Sequence, residues 1–113
     1  MKSVLMCLFG SALAGVIAAA SAQDVAAERS LVSACFTCHG PEGRSVGGVP
    51  PALAGLDRAY LLQTLRDYKA GRRAATVMDQ QVKGYTDEEL AVMANYFSRL
   101  KPGGAVAAPA ARE

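Results

Sequence analysis

Two cysteines three residues apart, with a histidine directly behind the second, constrain this chain more than any other feature: the stretch is "CFTCHG", Cys35 to Gly40. His39 is the only histidine, and Cys7 is the only other cysteine. Two thiols and an imidazole that close together serve one of three chemistries: a redox disulfide, a metal site, or covalent attachment of a haem. The remainder of the chain has to decide among them.

The first 22 residues, "MKSVLMCLFGSALAGVIAAASA", carry one positive charge at Lys2, an apolar run from Val4 and the small-residue triplet Ala20, Ser21, Ala22. That is the pattern of a secretory signal peptide, expected to be cleaved after Ala22. A spanning helix needs about 20 apolar residues, and this run is shorter and interrupted by glycine. The sequence therefore predicts export to the periplasm, with no stable membrane insertion once the leader is gone. Cys7 leaves with it. Cleavage takes Lys2 and no acid, so twelve basic against ten acidic groups become eleven against ten. Such a near-neutral chain is not built for nucleic acid or an anionic membrane surface.

Residues 23–102 are expected to form one domain, followed by a flexible tail at 103–113. A chain of this size buries only about two thirds of its unfolded surface and has a marginal core. The part after the leader has six aromatic residues and no tryptophan. An apolar group in its middle would supply what the side chains lack.

Ala27, Leu31, Ala34, Cys35 and Cys38 recur at helical spacing over 24–38, with Asp24 as a possible cap. "HGPEGRSVGGVPPALAGLD" then has five glycines and three prolines and reads as a structured loop with at most a short helical turn. A second helix is predicted from Arg58 to Ala70, capped by Asp57 and closed by Gly71. "GRRAATVMDQQVKGY" reads as an irregular connection carrying Met78. The third helix opens on a Thr86–Glu89 capping box, has a stripe of Leu90, Met93, Ala94, Phe97 and Leu100, and stops at Pro102. No strand alternation appears. The expected fold is all-α, with three main helices joined by two long loops, and loops that long in a small domain wrap a ligand or serve a function.

A zinc site needs at least three protein ligands, and no second cysteine pair or histidine exists to provide them. A redox pair of the thioredoxin kind expects a βαβ setting. A plain disulfide suits an exported protein but leaves His39 unexplained. One covalently attached haem c uses all three residues, Cys35 and Cys38 as thioether donors and His39 as an iron ligand.

From Ala26 to Lys101 the chain resembles class I cytochrome c, the single-haem type with histidine and methionine ligands. The resemblance rests on "CFTCHG", "PPALAG", "AYLLQTLRDYKAGRR" and "VMDQQVKGYTDEELAVMANYFSRL". Its combination "TVM…KGYTDEEL…MANYF" is most similar to cytochrome subunits of flavocytochrome c sulfide dehydrogenases. The resemblance implies a helical electron carrier, not an enzyme, with its first and last helices crossed. It implies Met78 as the second iron ligand; Met93, on the apolar stripe of the last helix, reads as core. It also assigns the Pro51 carbonyl to the second ring nitrogen of His39 and Leu53 to packing against the ring. The family's small and aromatic crossing positions fall on Ala27 and Leu31, expected to face Tyr96 or Phe97. Arg44, Tyr60, Lys83 and Tyr85 are candidates for the haem propionates.

The expected function is one-electron transfer between redox partner proteins, with a sulfide-oxidising flavoprotein as the partner implied by the narrower likeness. A haem sensor or peroxidase with a labile sixth ligand is the alternative.

Overall fold

The computed structural model describes residues 23–103. The expected leader, and the expected tail after Gly103, lie outside the described residues. Helix α1 occupies residues 23–39, followed by a 3-10 turn at Pro41–Gly43, α2 at Arg58–Lys69, α3 at Met78–Val82 and α4 at Asp87–Arg99. No β-strand occurs among the described residues, and the fold is all-α. Nor is any helix among them long and apolar enough to cross a membrane.

The last helix follows from its sequence most directly. The Glu89 N–H donates to Thr86 Oγ1 (3.2 Å) and the Thr86 N–H to Glu89 Oε2 (2.7 Å), which closes the capping box. Asp87, Glu88 and Glu89 complement the helix dipole in the first turn. Of the predicted stripe, Leu90, Met93, Ala94 and Phe97 are buried and form the centre of the core with Val32 and Leu61, while Leu100 packs half-buried against it.

Helix α2 begins where the Tyr60 N–H meets Asp57 Oδ1 (2.8 Å). It ends in a Schellman motif: the Gly71 N–H bonds Tyr68 O (3.1 Å) and the Arg72 N–H bonds Asp67 O (2.8 Å). Gly71 sits at φ +71°, where a side chain would be strained. α2 packs on α4 and on α3. Arg66 (3.5 Å) and Lys69 (3.2 Å) both reach Asp87, fastening its C-terminal half to the start of α4.

The structure corrects three sequence expectations. Asp24 lies inside α1 instead of capping it, because residue 23 is already helical. The connection after Gly71 is not irregular throughout: Met78–Val82 is a helical turn, anchored by the buried Val82. Ala27 is exposed and lines a shallow groove with Val25, Val92 and Arg99, while Leu31 packs half-buried against the core. The aromatic residue of α1 that meets α4 is Phe36, with ring centroids 6.3 Å from Tyr96 and 6.2 Å from Phe97. Phe36 stands between the two cysteines, so its packing fixes the motif onto the last helix. An Arg99–Glu28 ion pair ties α1 to α4 on the surface.

Candidate functional site

The motif occupies the last turn of α1. Cys35 is half-buried, Cys38 is exposed, and both are free thiols. Burial pushes the Cys35 thiol above its ordinary range, and Cys38 nearby adds to the shift. Reactive redox cysteines are shifted the other way, so Cys35 does not resemble the attacking thiol of a poised dithiol. No group of three or more histidines, cysteines and acids gathers into a metal-holding cluster among the described residues, so a zinc site lacks its ligand set.

His39 is 7 % exposed. Its Nδ1 lies 2.6 Å from the carbonyl oxygen of Pro51. A carbonyl only accepts, so Nδ1 carries a proton and donates; in the neutral ring this tautomer has its lone pair on Nε2, available for a metal. The loop is shaped to deliver that carbonyl. The Leu53 N–H (2.8 Å) and Ala54 N–H (3.2 Å) both donate to Gly43 O, and the Gly55 N–H donates to Phe97 O (2.9 Å). The buried Ser45 hydroxyl donates to the Pro50 carbonyl. Gly43 sits at φ +67°, and a Cβ there would come within 2.7 Å of the Phe97 ring. Only glycine lets this turn approach α4.

Between them stands Glu42, the one non-glycine residue with positive φ (55°) among the described residues. Its carboxylate accepts from Tyr96 Oη (2.7 Å) and pairs with Arg29 (2.6 Å). The tyrosine hydroxyl, followed by the Arg29 charge, holds the carboxyl below the usual carboxylate range. Burial, followed by the Glu42 bond, raises Tyr96. The pair joins α1, the turn and α4 through one side chain. Neither periodicity nor motif pointed to Glu42; a rare backbone conformation leaves no mark on the sequence.

Met78 is half-buried at the first residue of α3 and packs against the core cluster with Leu53, Leu56, Leu65 and Tyr85. Met93 is 2 % exposed beside Leu90, fully inside the core. Of the propionate candidates, Arg44 donates through Nε to the Lys101 carbonyl (3.3 Å), while Tyr60 and Lys83 are exposed. Among the described residues the donor set therefore consists of two thiols, one imidazole nitrogen whose partner nitrogen is already committed, and two thioether sulfurs, of which Met78 alone lies outside the sealed core. That set fits a covalently held haem with an imidazole ligand.

Residues 22–101 match the sequence model described as Cytochrome c. The chain belongs to the cytochrome c family. Its members hold covalently attached haem c, and this cytochrome carries Cys35 and Cys38 in the corresponding C-x-x-C-H motif. It is 38 % identical over 93 residues to the cytochrome subunit of sulfide dehydrogenase from Chlorobaculum tepidum, covering 80 % of this chain and 84 % of that one. It is 37 % identical to cytochrome c-553 of Nitratidesulfovibrio vulgaris, over 88 % of this chain and all of that one. With cytochrome c4 of Azotobacter vinelandii it shares 32 % identity over 96 % of its own length, spanning 55 % of the c4 chain. This cytochrome is an electron-transfer protein rather than an enzyme.

Proposed function

We propose that this cytochrome c is a periplasmic one-electron carrier and serves as the haem subunit of a sulfide-oxidising flavoprotein assembly. The leader pattern of residues 1–22 supports export, and the likeness to a cytochrome subunit of sulfide dehydrogenase supports the partner. Haem c, when bound, supplies an iron that alternates between two oxidation states. Cys35 and Cys38 would hold the porphyrin through their sulfurs. His39 would ligate through Nε2, with the Pro51 carbonyl keeping its tautomer and ring orientation fixed. Met78 would supply a second ligand through its sulfur, a soft donor that favours the reduced metal. Leu53 would pack beside the group and keep water from it. With His39 and Met78 both serving as ligands, the iron would have no site for a substrate.

The observation that carries this reading is the 2.6 Å bond from His39 Nδ1 to Pro51, which commits one ring nitrogen and frees the other. Absorption spectra of the purified protein in both redox states, with an intact mass, test the haem assignment. The expected mass is that of the chain from Gln23 plus one haem, and a colourless protein with the bare chain mass refutes it. Co-purification with a flavin-bearing subunit tests the assembly, and its absence from the native host leaves a free carrier instead.

A further inference from the structure

Three elements meet at the Glu42 carboxylate. Oε2 accepts from the Tyr96 hydroxyl of α4 (2.7 Å) and Oε1 pairs with Arg29 of α1 (2.6 Å), so each oxygen has its own partner. Tyr96 is a fixed point: it is 7 % exposed, meets Phe97 edge-on with ring centroids 5.4 Å apart and packs beside Phe36. The backbone of Glu42 stands at φ 55°, ψ 25°. Residues other than glycine seldom enter this left-handed region, and they stay there where the surroundings over-determine them. The two side-chain bonds supply that constraint here.

The turn centred on Glu42 runs between the two partners of the bond from His39 to Pro51. On one side the Gly43 N–H bonds Gly40 O (2.9 Å), the residue directly after His39, and the Arg44 N–H bonds Pro41 O (3.0 Å). On the other, Gly43 O accepts from the N–H groups of Leu53 (2.8 Å) and Ala54 (3.2 Å), just beyond Pro51. The turn is therefore the spacer between the imidazole and the carbonyl to which it donates at 2.6 Å.

We propose that Glu42 is a positioning residue for His39: anchored by Tyr96 and Arg29, it fixes the turn that holds the Pro51 carbonyl on Nδ1 and so tunes the ring as a metal ligand. The inference rests on the electron-carrier reading and deepens it by naming what regulates the ligand. A firm bond from the Nδ1 proton to a carbonyl makes Nε2 the stronger donor, which favours the oxidised metal. Slack in the turn weakens that bond and moves the balance towards the reduced metal.

Holoprotein variants test this through two measurements. One is solvent exchange of the His39 Nδ1 proton, followed by NMR of the reduced form; the other is the oxidised-to-reduced ratio at one fixed ambient potential near the wild-type midpoint. Tyr96→Phe takes away the hydroxyl and keeps the ring, and Glu42→Ala removes both ties. Each should speed exchange at least about ten-fold and lower the ratio about three-fold or more. The conservative Tyr96→Phe keeps the test independent of the folding of Glu42→Ala. Glu42→Gln loses the charge but keeps an oxygen that accepts from Tyr96, and should change the exchange rate less than about two-fold. Thr86→Ala, a cap lost at the other end of α4, should move neither measurement.

Wild-type exchange in Tyr96→Phe and Glu42→Ala would overturn the proposal. So would exchange in Glu42→Gln as fast as in Glu42→Ala, because the charge and not the position would then act, or an equal response in Thr86→Ala, because general loosening would then suffice. An unmoved ratio where exchange quickens would overturn it as well, since the turn would hold His39 without tuning it. Failure of the electron-carrier reading is separately visible, as wild-type protein without covalent haem or reversible reduction.

Discussion

The α2–α4 unit and the segment from His39 to Asp57 are held together in different ways. In the first, each helix carries its own start and stop: Asp57 and the Gly71 motif for α2, Thr86 with Glu89 for α4. Apolar residues at helical spacing then bring the two together. In the second, no regular element continues beyond three residues, and the conformation depends on single contacts made over long sequence distances. His39 reaches Pro51, Gly43 lies against Phe97, and Glu42 bridges Arg29 and Tyr96. The helical pair draws on many small, redundant contributions. The loop has few contacts and little redundancy, and the chemistry sits in the loop.

The largest expected effect comes from removing the group around which the loop is arranged. Cys35→Ala with Cys38→Ala should yield protein without covalent haem and with most of its helical circular dichroism lost, because the small core is marginal alone. Retention of α2 and α4 while the loop segment melts would sharpen the contrast; an apoprotein matching the holoprotein would break it. The two methionines divide along the same line. Met93→Ala should cost about 2–5 kcal/mol in stability through its buried cavity while leaving the reduction potential in place. Met78→Ala should lower the potential and let carbon monoxide bind the reduced protein at neutral pH. Exchanged outcomes would move the ligand from the loop side into the helical core.

Gly43→Ala comes next. It forces a positive φ on alanine and sets a methyl against the Phe97 ring, and should cost about 1–3 kcal/mol by chemical denaturation. Thr86→Ala removes a cap and should cost only about 1 kcal/mol. If the cap proves the costlier of the two, the helical pair is less redundant than its packing indicates. The smallest effect depends on pH. The folded protein holds Glu42 below the usual carboxylate range, so its contribution is present above the unfolded pKa, about 4.3, and is lost as pH falls through the folded value. Thermal melting of wild type should drop on acidification more steeply than that of Glu42→Gln, and parallel curves would remove Glu42 from the account.

Legibility in the sequence follows the same division. α4 could be read almost residue by residue, because a capping box and a repeating apolar stripe are local signals. α3 could not, since five residues are too few to show a period and its anchor, Val82, becomes apolar core only through contacts with other elements. Phe36 escaped notice as the contact to α4 because it sits between two cysteines that invite a purely chemical reading. The motif was legible from its own spacing and the Pro51 position through family resemblance, whereas the Glu42 bridge depends on a backbone conformation that no spacing encodes.

The Glu28–Arg99 ion pair has a practical consequence. It sets an early turn of α1 beside the final turn of α4, so the polypeptide enters and leaves the domain on one side. Closing the backbone into a circle there with a short Gly-Ser bridge would restrict the unfolded ensemble while asking little of the native one. Greater heat tolerance should then follow without altering a single side chain near Cys35 or His39.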